Sequence, residues 1–540
     1  MHWALHTTLL SSLAQLFQPA GCAAIPRDGE CRKTKVAILG AGVAGITAAQ
    51  ALSNASMGDF LIVERNDYIG GRVRHTQFGV NPETKAPYTV ELGANWVQGL
   101  VSEGGPENPI WTLAKRYGLN NTYSNESSIL TYDEKGYNDY TGVLAAYEKV
   151  YGVAEQDAGY ILTDNLQDTS FRAGLSTAGW KPKKDMRMQA AEWWAWDLET
   201  AQTPEDSGFL YGITGYNLTF YQFSEDNNYV WDQRGYNAFI IGESQTFLGA
   251  NDTRLMLNTT VESLTYSDQG VMVKTHDGCI QADYAISTFS VGVLQNDAVT
   301  FDPPLPRWKR EAIDQFQMGT YTKIFYQFNE TFWDPNTQYF LYADPKVRGY
   351  YPAWQSLTGP GFLEGSNIIF VTVVENEAYR WSSSQTKRQK MRVSRCCGRC
   401  SQTNKSRNQW RFTTHGGVLK SCTNFIPPRM AFGSYSNWPV GMTLEKHQNL
   451  RANIGRLYFA GEAMSAQYYG FLQGAWFEGR EIGETIAQMI KNQTGSAGDM
   501  ARYEVLHGTT TLNEYSSANG WPVSSFLTFG IAGKPDACVT

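Results

Sequence analysis

Short, wholly apolar runs mark the first part of the chain and predict buried strands. Val36–Leu39 and Phe60–Val63 are such runs, and their length and flanks are typical of parallel strands covered on both faces. Between them Ile46, Ala49 and Leu52 recur at helical spacing. The pattern therefore predicts a strand–helix–strand unit of a parallel sheet.

The same pattern returns far downstream. Leu457–Ala460 predicts another buried strand, and Gly474 and Ala475 open a long predicted helix. Along that helix the apolar positions are Ile482, Ile486, Met489 and Ile490.

The turn after the first predicted strand contains Gly40, Gly42 and Gly45 in the spacing G-x-G-x-x-G. Gly40 allows a tight turn, Gly42 lets a pyrophosphate approach the backbone, and Gly45 lets the helix and strand pack closely. The helix N-terminus offers free N–H groups to the phosphates. Glu64 ends the second strand, where a carboxylate can bind ribose hydroxyls and disfavours the 2′-phosphate of NADP. Together these residues predict a dinucleotide site.

Composition narrows the class of protein. The chain has 540 residues, of which 42% are apolar, so it can form two or three domains. Its net charge of −7 argues against a nucleic-acid binder and mildly favours cationic ligands. After the amino terminus, no segment approaches the roughly 20 apolar residues of a membrane span, so we expect no stable membrane insertion.

Two further motifs follow the dinucleotide loop. Gly70-Gly71-Arg72 comes shortly after it, and VELGANWVQG occupies Val90–Gly99. With the downstream strand–helix unit, they resemble the flavin amine oxidase family, which includes polyamine oxidases, monoamine oxidases and histone demethylases. The resemblance implies FAD as cofactor, with Arg72 on its diphosphate and Glu462 on its ribityl chain. The N-terminus of the last helix would face the flavin N1/C2=O edge, which gains negative charge on reduction.

The resemblance covers about residues 34–380 and 431–490 and implies an α/β fold. A discontinuous Rossmann-like FAD-binding domain would carry an inserted α+β substrate-binding domain, because the two FAD motifs lie roughly four hundred residues apart. The expected segments are a signal peptide at 1–24, FAD-binding parts at 34–100, 241–310 and 441–490, substrate-domain parts at 101–240 and 311–440, and a C-terminal tail at 491–540.

Tyr321, Lys323 and Phe325 alternate with Thr322 and Ile324, which predicts a strand. From this pattern alone, Lys323 would be an edge-strand lysine that extends to solvent. The family, however, carries a lysine in a YTKIF-like context that holds a water molecule against flavin N5. The resemblance therefore implies that Lys323 is catalytic, that burial lowers its pKa, and that it assists flavin reoxidation by dioxygen rather than proton abstraction from carbon.

Aromatic residues are expected to flank the substrate. In SYSNWPVGM, which spans Ser434–Met442, Tyr435 matches a family aromatic, and Phe471 in YYGFLQG matches the second. Rings over the flavin would steer an amine toward N5, although either ring could equally belong to the core. Trp96, in the VELGANWVQG segment, is expected at the same site. Ser434 stands where monoamine oxidases carry the cysteine that bonds FAD, so we expect noncovalent FAD.

Two polar residues complete the expected substrate site. Many polyamine oxidases carry a tunnel glutamate directly after ANWV, but this chain has Gln98, which can hydrogen-bond an amine without neutralising it. A loose alignment places another family carboxylate at Glu199 in WDLETAQTP.

The resemblance disappears where the chain reads RVSRCCGRCSQTNKSRNQWRFTTHGGV. Cys397-x-x-Cys400, Cys396 and His415 offer a zinc or redox motif, but one C-x-x-C pair without a second is weak, and no metal is expected. A shifted reading frame with free codon choice lets Arg399–Gly417 encode the family's missing helix, Pro-containing link and Pro-Arg-Trp strand. We interpret roughly Gln385–Lys420 as out-of-frame translation, which the genomic nucleotides test.

The implied activity is FAD-dependent oxidation of spermine, spermidine or their acetylated forms, with dioxygen as the second substrate. Hydride transfer to the flavin would give an aldehyde, an amine and hydrogen peroxide. Two alternatives remain open. An L-amino-acid or other amine oxidase would need an arginine facing the substrate carboxylate, and an inactive flavoprotein would follow from the disrupted segment.

The amino terminus, MHWALHTTLLSSLAQLFQPAGCAAI, resembles a secretory signal cleaved near Cys22–Ala24. Cys31 and Cys538, near the two termini, could pair or be unrelated thiols, and Cys279 is a further cysteine. A secreted glycoprotein is expected, because N-x-S/T sequons recur at Asn120, Asn125, Asn217, Asn251, Asn258, Asn329 and Asn492.

Overall fold

The computed structural model describes residues 31–163, 166–213, 223–383, 432–492 and 499–506. The expected signal peptide, most of the C-terminal tail and the segment interpreted as out-of-frame lie outside these ranges, so those three expectations stay predictions.

The described strands, in chain order, are β1 Arg32–Leu39, β2 Phe60–Val63, β3 His75–Phe78, β4 Tyr88–Glu91, β5 Trp96–Gln98, β6 Asn121–Tyr123, β7 Ile129–Asp133, β8 Gly136–Tyr137, β9 Asn227–Val230, β10 Leu255–Met256, β11 Val261–Ser267, β12 Gly270–Thr275, β13 Gly278–Ser287, β14 Thr300–Asp302, β15 Gln317–Met318, β16 Tyr321–Gln327, β17 Tyr339–Tyr342, β18 Ala353–Ser356, β19 Ile368–Val374, β20 Ser436–Asn437 and β21 Leu457–Phe459.

The described helices are α1 Val43–Asn54, α2 Pro109–Arg116, α3 Thr141–Thr163, α4 Phe171–Thr177, α5 Met186–Glu192, α6 Leu198–Thr200, α7 Ala238–Gln245, α8 Val291–Gln295, α9 Arg307–Gln315, α10 Glu375–Ser383, α11 Leu444–Arg451 and α12 Leu472–Lys491. A π-helical turn at Trp193–Asp197 joins α5 to α6, and a 3₁₀ turn covers Glu462–Met464.

The largest sheet brings the two remote strand–helix units together. Its order is β10-β2-β1-β13-β12-β11-β14, and β21 pairs with β13. The pairs of β1 with β2, β1 with β13, and β13 with β21 are all parallel. The predicted buried parallel strands are confirmed, although β1 begins at Arg32, before Val36.

Helix α12 packs on α1, and its glycines set how closely the two helices approach. A Cβ atom added at Gly479 would lie 2.2 Å from the carbonyl oxygen of Ala44, and one at Gly483 would lie 2.6 Å from that of Ala48. Neither position can therefore carry a side chain without separating the helices. The helix begins at Leu472, ahead of the predicted start at Gly474.

A second sheet has the order β16-β19-β18-β17-β7-β8. Its pairs are antiparallel except β7 with β17. The early strands β7 and β8 therefore extend the sheet beyond β17, next to the four strands from residues 321–374. Among the described strands, β16 lies at the edge of this sheet, as expected from the pattern around Lys323. The α/β fold class is confirmed, while the numbered domain boundaries remain predictions.

The cysteine expectation needs correction. Cys31 forms a disulfide with Cys279, not with Cys538. The bond joins the residue before β1 to a residue of β13, and these strands are adjacent in the sheet, with Arg32 opposite Ile280. Neighbouring strand positions bring the two sulfurs within reach, a proximity that chain order did not reveal. None of the described helices combines the length and apolar character that a membrane-spanning segment needs.

Candidate active site

A large cavity is lined by both remote segments and by the second sheet. Its volume is about 430 Å³. Residues of the predicted dinucleotide loop, of β16 and of the start of α12 all line it. The dinucleotide loop, β16 and the start of α12 therefore border one continuous space.

The glycine loop forms a tight cradle at one part of this cavity. Gly40 has φ +126°, and a Cβ there would lie 2.2 Å from Thr288 Oγ1. A Cβ at Gly45 would lie 2.0 Å from the carbonyl oxygen of Gly40. Gly42 precedes α1 as its N-cap and makes no side-chain capping bond, so the first N–H groups of the helix remain free for an anion.

The Glu64 carboxylate is buried and held by backbone groups. Its Oε2 accepts a hydrogen bond from Ala41 N at 2.8 Å, and its Oε1 accepts two, from Asn66 N at 2.8 Å and from Asn66 Nδ2 at 2.6 Å. Each carboxylate oxygen can accept two hydrogen bonds. Oε2 can therefore accept one further bond, for example from a ribose hydroxyl, and the role of Glu64 stays a prediction.

Arg72 and Glu462 form an ion pair that neither motif revealed alone. Arg72 Nη1 lies 2.6 Å from Glu462 Oε1 and also donates to the carbonyl of Ser434 at 3.1 Å. The second carboxylate oxygen of Glu462 accepts bonds from Ser436 Oγ and from Gly470 N. The pair joins residues 390 positions apart and lies on the cavity wall. The guanidinium carries further N–H donors that can reach a diphosphate.

The last helix opens onto the same cavity. Phe471 is the N-cap of α12 and provides no side-chain capping bond, and Phe471, Leu472 and Gln473 line the cavity. Two uncapped helix N-termini thus face one space, together with an arginine and two carboxylates. This donor set fits FAD: α1 and Arg72 would hold the diphosphate, Glu64 and Glu462 the sugar hydroxyls, and α12 the flavin.

Lys323 is only 1% exposed although it lies on an edge strand. Its Nζ donates to the carbonyl of Gly93 at 2.6 Å and lies 5.3 Å from the Trp96 ring centre and 6.0 Å from that of Tyr321. Burial lowers the pKa of Lys323 to about 7, against the opposing attraction of Glu91. The side chain can therefore exchange a proton near neutral pH.

Aromatic rings surround the space next to Lys323. Tyr435 and Tyr321 have ring centres 6.1 Å apart, and the Tyr435 hydroxyl donates to the carbonyl of Glu199 at 2.7 Å. Phe471 lines the same cavity. Trp96 donates from Nε1 to Ser124 Oγ at 3.1 Å, which orients its indole. The structure thus brings the predicted aromatic residues to one cavity, and their roles stay predictions.

The acidic part of the cavity contains Glu199, Gln98 and Glu126. Gln98 Nε2 donates to Glu199 Oε1, so the glutamine orients the carboxylate. Burial, together with the charge of Glu126, raises the pKa of Glu199 to about 8, while the hydrogen bond from Gln98 opposes the shift. A bound ammonium group would reverse this balance and ionise the carboxyl group.

Sequence reasoning assigned no role to several lining residues. Tyr321 shares a strand face with Lys323 at a spacing of two, so strand periodicity could have identified it. Glu126 follows the short strand β6 in a loop, and no local pattern indicated it. Ser434, on the cavity wall, provides no thiol, and noncovalent FAD remains a prediction. Within the described ranges, no group of three or more His, Cys, Asp or Glu residues could hold a metal ion.

The chain belongs to the family described as flavin containing amine oxidoreductase, which matches residues 43–486. Amine oxidation with FAD as cofactor is therefore the chemistry of this fold and site.

Curated relatives and solved structures agree with this assignment. The chain is 35% identical over 480 residues to polyamine oxidase 7 of Oryza sativa subsp. japonica, covering 83% of this chain and 93% of the relative. It is 33% identical over 508 residues to polyamine oxidase 1 of Zea mays, and the match covers 87% of this chain and 92% of the relative. The structure of a putrescine oxidase bound to putrescine matches this chain with a TM-score of 0.62 at 17% identity. The match covers 86% of this chain and 100% of the other, and it supports a shared fold.

Proposed function

We propose that the chain oxidises polyamines such as spermidine, spermine or their acetylated forms to an aldehyde and an amine, with release of hydrogen peroxide. The observation that carries the proposal is the arrangement of the cavity. Lys323 and the aromatic rings of Tyr321 and Tyr435 line the same space as the carboxyl groups of Glu199 and Glu126. A cavity with aromatic walls and acidic groups suits a long, flexible polycation.

Bound FAD would supply the two-electron acceptor that takes a hydride from the carbon next to the reacting nitrogen. The residues of the chain position the amine for that step. Tyr435 and Phe471 would confine the neutral reacting amine, and Glu199, oriented by Gln98, would attract a second, charged nitrogen. Lys323 would hold a water molecule and exchange a proton during reoxidation by dioxygen, because its pKa of about 7 makes both forms available.

The cavity is less suited to an amino acid, whose carboxylate needs a cationic partner. In the described part of the cavity wall, the arginines are Arg65, Arg72 and Arg74, all in the segment that follows β2. Arg72 is already paired with Glu462. Glu199 can ionise to pair with an ammonium group, whereas a substrate carboxylate would only keep it protonated, so the site favours polyamines over L-amino acids.

A substrate panel with peroxide detection tests the proposal. Purified enzyme is supplied with spermidine, spermine, N-acetylated polyamines, a simple monoamine and several L-amino acids, and products are identified by mass spectrometry. We expect peroxide and an aminoaldehyde from at least one polyamine, at a kcat/KM well above that of the monoamine. Turnover of amino acids alone, or flavin-loaded protein that turns over nothing in the panel, would contradict the proposal.

We also propose that the protein follows the secretory route. The Cys31–Cys279 disulfide supports this route, because disulfides persist mainly in oxidising compartments. Five of the sequon asparagines are exposed, namely Asn120, Asn251, Asn258, Asn329 and Asn492. Expression in a eukaryotic secretory host should give medium-borne protein whose mass falls on treatment with an N-glycosidase. Retention inside the cells without glycans would refute the proposal.

A further inference from the structure

A buried carboxyl group, Glu91, lies near Lys323 and is not used in the chemistry assigned above. It ends β4, is 3% exposed, and accepts a hydrogen bond from Tyr236 N through Oε1 at 2.7 Å. Its Oε2 has no hydrogen-bond partner in the part of the chain that the structure describes. Buried carboxyl oxygens are nearly always hydrogen-bonded, so this atom indicates a partner outside the described residues, such as a water molecule.

The surroundings of Lys323 contain a second residue of this kind. Lys323 Nζ is bonded to the carbonyl of Gly93, which lies two residues after Glu91 and two residues before Asn95. Asn95 is 1% exposed and lines the cavity, and neither Oδ1 nor Nδ2 of its amide has a partner among the described residues. Glu91, Lys323 and Asn95 together offer the two to four polar contacts that an ordered buried water requires.

We infer that Glu91 is a positioning residue that shares one proton with Lys323 through a bridging water molecule. In this transfer an N–H bond of the Lys323 ammonium breaks, the water accepts that proton, and the water passes another proton to the Glu91 carboxylate. An O–H bond forms at Glu91, and the pair changes from ammonium and carboxylate to amine and carboxylic acid. The net charge of the pair does not change in this transfer. The reverse transfer, from Glu91 to Lys323, reprotonates the lysine inside the cavity without a proton from bulk solvent.

The electrostatics of the pair support the exchange. Burial raises the pKa of Glu91 to about 7 and lowers the pKa of Lys323 to about 7, while each charge opposes the shift of the other. Matched pKa values let the proton occupy either site at little cost. Other titratable or charged groups that face the pair are Asp232, Tyr229, Tyr236, Tyr321 and, opposite Glu91 across β3 and β4, His75.

Infrared spectroscopy of the oxidised, substrate-free holoenzyme tests the coupling directly. The difference between wild type and Glu91→Gln should show a carboxylic acid band that disappears with a midpoint near pH 7. In Lys323→Met, the same band should persist to a pH at least about one unit higher, because the ammonium no longer favours the carboxylate. Subtracting the spectrum of the double variant Lys323→Met/Glu91→Gln from that of Lys323→Met isolates the Glu91 band in the variant that lacks the lysine. A carboxylate at all pH values above about 5, or an unchanged midpoint in Lys323→Met, would overturn the inference.

Reoxidation kinetics provide the second readout. The enzyme is reduced with dithionite and mixed with dioxygen across the pH range, so the result does not depend on which amine is the substrate. The inference rests on the proposed function only in placing Lys323 beside the flavin. Glu91→Gln should lower the midpoint of the rate profile by about one pH unit or more, which reduces the ammonium fraction at pH 7 about five-fold. In the Lys323→Met background, the same change should have no further effect.

Asp168→Asn is the matched control. Its Oδ2 is also buried and without a partner in the described chain, but Asp168 does not line the cavity. The control should leave both the reoxidation midpoint and the Lys323-dependent infrared shift unchanged. Equal shifts in Asp168→Asn and Glu91→Gln would show a general effect of removing a buried carboxyl group and would refute the specific role of Glu91.

Discussion

Replacing Glu199 by Gln tests the acidic part of the cavity through its pH dependence. With a pKa of about 8 in the free protein, Glu199 is about 10% ionised at pH 7 and about 1% at pH 6. A substrate ammonium binds the ionised form, so its binding must first release this proton. The ratio of kcat/KM of wild type to that of Glu199→Gln should therefore increase about tenfold for each unit by which the pH rises toward 8. Above about pH 8 the ratio should level off.

The size of the effect follows from the loss of a buried charge partner. Removing one member of such a pair costs about 2–5 kcal/mol, and a value of about 3 kcal/mol corresponds to roughly 150-fold in kcat/KM. We expect about that ratio near pH 9 and a ratio near unity around pH 6, because the carboxyl group is then protonated in wild type. The reacting amine must also lose a proton, but this requirement is common to both enzymes and cancels in the ratio.

The assay is steady-state oxidation of spermidine by both enzymes across this pH range, with a monoamine as control substrate. The monoamine lacks a second nitrogen, so its ratio should be small and flat. Glu126→Gln should move the midpoint of the spermidine ratio below 8, since the charge of Glu126 contributes to the raised pKa of Glu199. A ratio that does not change with pH, or that is the same for both substrates, would refute this reasoning.

Three other substitutions test the structural basis of the site. Gly45→Ala should reduce bound flavin to less than about a tenth of wild type, because its Cβ would lie 2.0 Å from the Gly40 carbonyl oxygen. Gly142→Ala is the control and should keep its flavin, because its Cβ would meet no atom within 4 Å. Lys309→Met should lower the free energy of unfolding by about 2–4 kcal/mol in a denaturant titration, since Nζ is buried and donates to three carbonyls at the end of α11. Cys31→Ser should cost about 2–4 kcal/mol in the same assay, since the disulfide spans 248 residues, and reducing agent should then have no further effect. Wild-type flavin content in Gly45→Ala, or unchanged stability in either of the others, would contradict these assignments.

The amino-terminal unit was predictable because local rules determine it. The apolar run Phe60–Val63 and the spacing of Gly40, Gly42 and Gly45 each have one physical interpretation, and the structure forms the predicted strand, turn and helix. The downstream strand was equally clear. That both units share one sheet followed from the family resemblance, because no local pattern indicates which strands pair across roughly four hundred residues.

The environment of Lys323 could not be obtained from its own strand. An alternating strand with a lysine on an edge predicts exposure, yet the segment from Gly93 to Trp96 covers this side chain. Likewise, the Arg72–Glu462 ion pair and the contribution of Glu126 arise from tertiary contacts between distant segments. Local sequence predicts elements and their termini, whereas burial and charge partners depend on how those elements pack.

Anaerobic reduction of the bound flavin tests the central claim most directly, because it reads the first chemical step without dioxygen. Yellow holoenzyme is mixed with spermidine, with a monoamine of similar length and with an L-amino acid, and loss of flavin absorbance is followed by stopped flow. We expect rapid bleaching by spermidine, slower bleaching by the monoamine and none by the amino acid. Bleaching by the amino acid but not by polyamines would contradict it, and so would a flavin that no amine reduces.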